Sequence, residues 1–236
     1  MYLYSFIVGM GATVGLAWSV LRASAEDSIL IANSGLAAIL GAVAGGRILY
    51  VLNDWSHYEG QVLETFQIYL GGFSWIGALL GAILFIVGYA SIKHVSPLPL
   101  LDSLVPFAGA VVMSIWLASW LDGYAYGRAA DWWWAFPARD GWGRLAPRFP
   151  AQVVGALTAL ATIWAADFLA KYLNVPGQIA AAAAFLLSLV YFLLAFTRAD
   201  YVATFLGFRI DALVALAIAV ISGSYLLTSW RQRAVS

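Results

Sequence analysis

The sequence predicts an all-α, polytopic integral membrane protein with about seven transmembrane helices and no large domain outside the bilayer. Three observations predict it. Residues of the hydrophobic set make up 63% of the 236 positions, charged residues only 10%, and the mean hydropathy is +0.86. Soluble domains carry roughly 25% charged residues, and this chain could not cover itself with a wettable surface on less than half of that. The formal net charge is zero, from twelve basic and twelve acidic residues, so nothing points to nucleic acid. There is no cysteine, which removes disulfides, thiolate metal ligands, a thiol nucleophile and a lipobox of the chain's own.

A spanning helix needs about 20 mostly apolar residues. Stretches that qualify are 2–22, 28–51, 67–91, 100–121, 151–173, 178–197 and 208–230. The first begins at the N-terminus without a small-residue cleavage pattern, so it reads as a retained helix rather than a removed signal peptide. The second is interrupted by Asn33, Ser34 and several glycines. Gly41-x-x-x-Gly45 and Gly77-x-x-x-Gly81 are small-residue pairs one turn apart, which let helix backbones approach closely. No composition break marks a linker, so 1–236 reads as a single transmembrane domain. Short turns join the spans except at 52–66 and 122–150, both rich in Trp, Tyr and Gly. The Trp132-Trp133-Trp134 run, with Tyr124, Tyr126 and Trp142, suits the headgroup level, where aromatic rings collect.

Seven crossings put the termini on opposite sides. Arginine and lysine counts in the connections conflict: Arg22, Lys93, Lys171, Arg231 and Arg233 lie with the C-terminus, and Arg47, Arg128, Arg139, Arg144, Arg148, Arg198 and Arg209 lie opposite. Four of the second group share one long connection, and both lysines are in the first. The expectation is N-terminus outside and C-terminus cytoplasmic, with 122–150 extracytoplasmic.

Ionisable groups near lipid are costly and therefore informative. Arg47, about a turn before a helix end, can snorkel to the interface or hold a lipid phosphate as a bidentate fork. Together with Arg128, Arg148 and Arg198 it would suit an anionic headgroup. Asp102 follows Pro97 and Pro99 and is expected in a first helical turn, where a carboxylate favours the positive helix end. His57 and His94 fall on opposite sides. No spacing suggests a metal site, a phosphate loop or a nucleophile elbow, so neither metal nor cofactor is expected. From the residues alone this is a polytopic protein with an anion-binding face and no visible acid, base or nucleophile.

The motifs resemble one family. Gly45-Gly46-Arg47-Ile48-Leu49-Tyr50-Val51 is similar to the Gly-Ala-Arg-x-x-Tyr-Val segment of bacterial prolipoprotein diacylglyceryl transferases. Gly71-Gly72-Phe73-Ser74-Trp75, followed by Gly77 and Gly81, resembles that family's Gly-Gly-x-Ser-x-His-Gly-Gly helix start. Asp102 and Pro106 fall where the next helix carries an Asp and a Pro. Leu121-Asp122-Gly123-Tyr124-Ala125-Tyr126-Gly127-Arg128 is similar to the close of the family signature, and Phe149-Pro150-x-Gln152 resembles its His-Pro-x-Gln-Leu-Tyr-Glu. Tyr4 matches a Tyr of the first helix, and Arg198 with Asp200 an Arg…Asp near the sixth.

The resemblance implies a seven-helix protein of the bacterial plasma (inner) membrane. The family moves diacylglycerol from phosphatidylglycerol to the lipobox cysteine of a prolipoprotein on the outer face. It also implies phospholipid-headgroup binding by Tyr4, Arg47, Gly127, Arg128, Gln152 and Arg198. The departures fall on the chemistry. The family's His after Gly-Gly-x-Ser meets Trp75, or Ile76 after a one-residue shift. Its signature Arg and Asn become Trp116 and Ser119. The His, Tyr and Glu of His-Pro-x-Gln-Leu-Tyr-Glu become Phe149, Val154 and Gly155, and an Arg of the sixth helix becomes Tyr191. An indole nitrogen only donates, so it neither takes a proton nor supplies a cation. The expectation is a fold retained and a reaction lost: a phospholipid-binding, non-catalytic homologue serving as a structural or accessory subunit alongside other membrane-protein subunits. Two alternatives stand beside it. One is an active transferase of lipoprotein biosynthesis with relocated catalytic groups, drawn from Asp122, Asp131, Asp140, Asp200 and His57. The other is a small lipid-handling or transport protein, for which the last three helices offer little beyond Thr158, Thr162, Ser188 and Ser222 as a polar path.

Overall fold

The computed structural model describes residues 2–60, 62–67 and 71–233. Its helices are α1 Tyr2–Leu21, α2 Ser28–Asn53, α3 Trp55–Tyr58, α4 Trp75–Ile92, α5 Pro97–Ser103, α6 Val105–Asp122, α7 Ala151–Leu169, α8 Gln178–Ala195 and α9 Ile210–Arg233. Seven of them, all but α3 and α5, are long and apolar enough to cross a membrane. The protein is therefore an all-α, multi-pass membrane protein, as its composition predicts. Two short antiparallel hairpins lie in the connections: β1 Phe136–Arg139 with β2 Leu145–Arg148, and β3 Thr204–Phe205 with β4 Phe208–Arg209. Large apolar side chains such as Leu21, Leu84 and Ile221 point outward, while Ala90, Ala118, Ala151 and Ala159 are sealed inside. Where lipid is as apolar as leucine, small residues that bring backbones together make the better interior.

The chain divides into two compact units, one of residues 20–103 and the other of 1–19 with 104–236. In the 20–103 unit, α2 packs along α4 through the two glycine pairs. A methyl group on Gly41 or Gly81 would overlap the other residue's carbonyl, and Gly45 and Gly77 stand in the same relation. Ser34 does not interrupt α2, because its hydroxyl donates to Leu30 O at 2.7 Å. The helix continues to Asn53.

Two span boundaries differ from the sequence reading. The span expected from 67 becomes helical only at Trp75, and residues 68–70 lie outside the described set. Gly71 and Gly72 take φ of +86° and +79°, a left-handed region closed to helix, and Ser74 then caps α4 by accepting from Gly77 N. The span expected from 100 breaks at Leu104. Pro106 in the first turn of α6 cannot continue a helix from before it. Asp102 consequently sits in the last turn of the short α5, not in a first turn.

In the other unit, α6 packs on α7, α7 on α8, and α8 on α9. Helix α1 lies against α6, with Gly11 facing Ser114 and Gly15 facing Phe107 and Ala110 too closely for any side chain. The break before α6 frees an amide at its first turn, and Ser19 Oγ of α1 accepts it from Phe107 at 3.2 Å.

The glycine seam makes a directional prediction. Gly81→Ala forces a methyl into backbone that has no room to yield and should destabilise by about 1–3 kcal/mol. Gly88→Ala, on the same helix but in open space, should stabilise by about 0.5–1 kcal/mol. Thermal unfolding midpoints of the two variants in detergent should move in opposite directions.

Candidate functional site

One end of the unit built from 1–19 and 104–236 carries most of the residues singled out by sequence. Helices α6 and α8 end there, α1, α7 and α9 begin there, and the 123–150 connection covers it. Gly127 and Arg198 form an antiparallel bridge, with Arg128 N donating to Thr197 O and Ala199 N to Tyr126 O. Gly127 is required at this crossing, since any Cβ would overlap the Phe149 carbonyl. Gln152, fully buried at the start of α7, donates through Nε2 to Tyr124 O at 3.0 Å. Tyr4 hydrogen-bonds Ser119, sits within the field of Asp122, and meets the Tyr124 ring edge-on at 6.5 Å.

Three of the four arginines expected to cluster meet around Gly127, but two of them are internally neutralised. Arg198 grips Asp200 with one edge of its guanidinium, Nε donating to Oδ1 at 2.9 Å and Nη2 to Oδ2, and donates through Nη1 to the Tyr191 hydroxyl at 2.8 Å. Asp211 lies 3.3 Å from that same nitrogen, and Arg209 bridges Asp211 and Asp200 from the other side. Burial alone would lower the Arg198 pKa; Asp200 and the Tyr191 hydroxyl outweigh it and hold the group above its ordinary value. Arg148 pairs with Asp140 at 3.1 Å, lies over the Tyr126 ring and donates to Gly127 O at 3.5 Å. Burial pulls the Asp140 carboxyl upward, but the amides of Arg144 and Trp142 and the Arg148 charge together bring it below the usual carboxylate range. Arg128 alone of the three is exposed.

The positions where the family resemblance expects charge form an aromatic wall. Trp116 is buried and lies 5.8 Å from the Tyr191 ring, while its indole fills the space a side chain at Gly155 would take. Ser119 is buried beneath Tyr4. The residue that sequence reading missed is Asp211. The signal was available as a repeat, Arg198-Ala199-Asp200 and Arg209-Ile210-Asp211, on either side of one connection. The hydroxyls considered for a polar path are spent locally. Thr158, Thr162, Ser188 and Ser222 each donate to a carbonyl one turn back in their own helix.

Trp75 and Arg47 belong to the 20–103 unit. Trp75 opens α4 and is partly exposed. Arg47 is buried, with its guanidinium held between the rings of Tyr50 and Tyr58. Its Nε donates to Thr65 O at 2.7 Å, Nη2 to Glu64 O at 2.8 Å, and Nη1 to the carbonyls of Gly71 and Gly72 at 2.8 and 3.2 Å. Four of its five N–H donors are thus committed to main chain. Such a residue fixes the turn that starts α4.

Arg47→Ala should strip the guanidinium from the Thr65, Gly71 and Gly72 carbonyls, leave Glu64 O only the Gln67 amide, and lower stability by on the order of 3 kcal/mol, since hydrogen bonds to a charged group are worth about 1.5–3 kcal/mol each. Arg47→Lys should recover only part of the loss, because an ammonium cannot reproduce the planar fork. Limited proteolysis between 62 and 72, run beside thermal unfolding, measures both effects.

Comparison with known proteins gives a consistent family. A family model described as prolipoprotein diacylglyceryl transferase matches residues 1–228. Similar relatives bear the name phosphatidylglycerol–prolipoprotein diacylglyceryl transferase. One from Paracidovorax citrulli is 32% identical over 58% of this chain and 48% of its own length. One from Geobacter sulfurreducens is 30% identical over 66% of this chain and 59% of its own. One from Nitratidesulfovibrio vulgaris is 30% identical over 70% and 62%. The chain thus spans about half the length of the first of these relatives. With the family model matched from residue 1 to 228, the chain belongs to the prolipoprotein diacylglyceryl transferase family.

Proposed function

We propose that this chain acts on a phosphatidylglycerol-type phospholipid in a bacterial plasma membrane and carries out the diacylglyceryl transfer for which its relatives are named. The observation that carries the reading is the family match over residues 1–228. The convergence of Tyr4, Ser119, Gly127, Arg128, Gln152 and Arg198 at one helical end supports it. In this reading the exposed Arg128 meets the lipid phosphate. Gly127, Gln152 and Arg198 hold the strand that presents it. Arg47 acts in its own unit as a positioning residue.

Transfer to a thiol breaks the bond between the glyceryl carbon and the phosphate oxygen and forms a carbon–sulfur bond. Something must take the thiol proton, and the departing phosphate needs a cation. We assign the first task to Asp122, the carboxylate whose field reaches the Tyr4 hydroxyl hydrogen-bonded to Ser119, and the second to Arg128. This is the relocation required by Trp116 and Tyr191, which supply neither a base nor a fixed cation.

A second reading is a phospholipid-binding member without turnover, serving within a larger membrane assembly. The Trp116–Tyr191 wall and the neutralised Arg148 and Arg198 favour it. Purified protein reconstituted with phosphatidylglycerol and a prolipoprotein peptide separates the two. Transfer appears as a mass gain of one diacylglyceryl group on the peptide, and Asp122→Asn should slow it by about 10²–10⁴-fold, the usual worth of a positioned acid or base. Absence of any product, with phosphatidylglycerol still retained through gentle purification, would leave the second reading in place.

Both readings put 123–150 and the N-terminus outside the cell. The chain lacks cysteine, so single cysteines report orientation directly. Ser56→Cys and Gly141→Cys should react with an impermeant maleimide on intact cells and Ser96→Cys should not; the opposite pattern would invert the topology.

A further inference from the structure

The β1–β2 hairpin and the tryptophans before it carry a feature that the transfer reaction does not use. Trp133 is 96% exposed, Trp142 77% and Leu145 67%, while Arg139 and Arg144 are exposed beside them. These are large apolar side chains on a rigid support. Pro137 and Pro147 face each other in the ladder, and the two proline carbonyls accept from Trp120 Nε1 at 3.1 Å and Ala130 N at 3.2 Å. Asp140, buried at the turn, takes the amides of Trp142 and Arg144 on one oxygen and Arg148 on the other.

The height of this support is fixed by its contacts. Trp120 is in the last turn of α6, and its ring also lies 5.5 Å from Phe136. Gly123, the left-handed cap of α6, is so close to the Asp140 carbonyl that no Cβ fits. The hairpin therefore lies directly on the end of a spanning helix, at the level where hydrocarbon gives way to headgroups. Its outer face is cationic, because Asp140 and Arg148 cancel inside while Arg139 and Arg144 stay outside, against Asp131 alone among the exposed acids of 123–150. Arg144 stacks its guanidinium 5.6 Å over the Trp142 ring, an arrangement that keeps a cation beside an apolar surface.

We propose that this hairpin is an anionic-lipid anchor. Trp133, Trp142 and Leu145 seat in the headgroup layer continuous with the end of α6, and Arg139 and Arg144 pair with lipid phosphates there. Indole rings favour that layer, and each arginine near an anionic surface favours it over a neutral one by roughly fivefold. The anchor holds the cover of the candidate site against the bilayer from which the lipid comes.

The test places a bimane label at Trp133→Cys or Trp142→Cys in the otherwise cysteine-free full chain. The protein is reconstituted into phosphatidylcholine vesicles with or without phosphatidylglycerol. Quenching by a headgroup-nitroxide lipid is compared with quenching by aqueous acrylamide. The expected result is strong nitroxide quenching, weak acrylamide quenching, and a severalfold rise in their ratio when phosphatidylglycerol is present. Arg139→Gln with Arg144→Gln touches only exposed side chains and should erase that rise. Free acrylamide access in both vesicles would overturn the proposal. So would shielding from both quenchers, which would mean that protein covers the face, and so would a ratio indifferent to phosphatidylglycerol.

Discussion

Hydrocarbon offers no partner to a stray N–H or carbonyl, and each one left over costs several kcal/mol. The architecture follows from that constraint. Each span settles its backbone within itself, and serine and threonine hydroxyls fold back onto carbonyls one turn earlier, as at Ser34, Thr162 and Ser222. At some helix starts and breaks a side chain steps in. Ser74 caps α4, Ser19 receives the Phe107 amide at the start of α6, and Gln178, buried, donates to Ser229 at 2.9 Å. Arg47 is the largest instance, donating to the carbonyls of Glu64 and Thr65 in a short 3-10 turn and to those of Gly71 and Gly72 just before α4.

The same economy governs the charges. Arg198 and Arg209 against Asp200 and Asp211 form a balanced set of two cations and two anions, with the Tyr191 hydroxyl inside it. Arg148 and Asp140 form a second balanced pair. Buried charges persist only when paired and hydrogen-bonded, so these groups hold connections in place and present no field to a ligand. The arginines of 123–150 that stay exposed are Arg128, Arg139 and Arg144.

The spans were legible because length and apolarity are properties of the chain itself, and the glycine seam because its partners repeat one turn apart in both helices. The family was legible from the order of Gly-Gly-Arg, Gly-Gly-Phe-Ser and Tyr-Gly-Arg segments, none of which suffices alone. The hairpin was not legible. Each of its strands has four residues and carries a proline, which normally argues against a strand; only the outside donors Trp120 and Ala130 make that pairing workable. The role of Arg47 was equally hidden, since main-chain carbonyls have no sequence signature. A guanidinium near a helix end reads as a phosphate ligand or a snorkelling cation until its partners are seen. Asp211 escaped because one of its two arginine partners, Arg198, lies across a connection, although the repeated Arg-x-Asp that includes the other, Arg209, was in view.

The division of the chain also orders its assembly. Residues 20–103 form a contiguous unit whose glycine seam can close once α4 has entered the bilayer. The other unit is discontinuous: α1 precedes the 20–103 unit, yet Ser114, Phe107 and Ala110, against which Gly11 and Gly15 pack, come from α6, synthesised after the whole intervening unit. During translation α1 must therefore wait in lipid with its glycine stripe bare and Ser19 unmatched. Of the seven spans, α1 is made before the other six and yet is among the last to find its place.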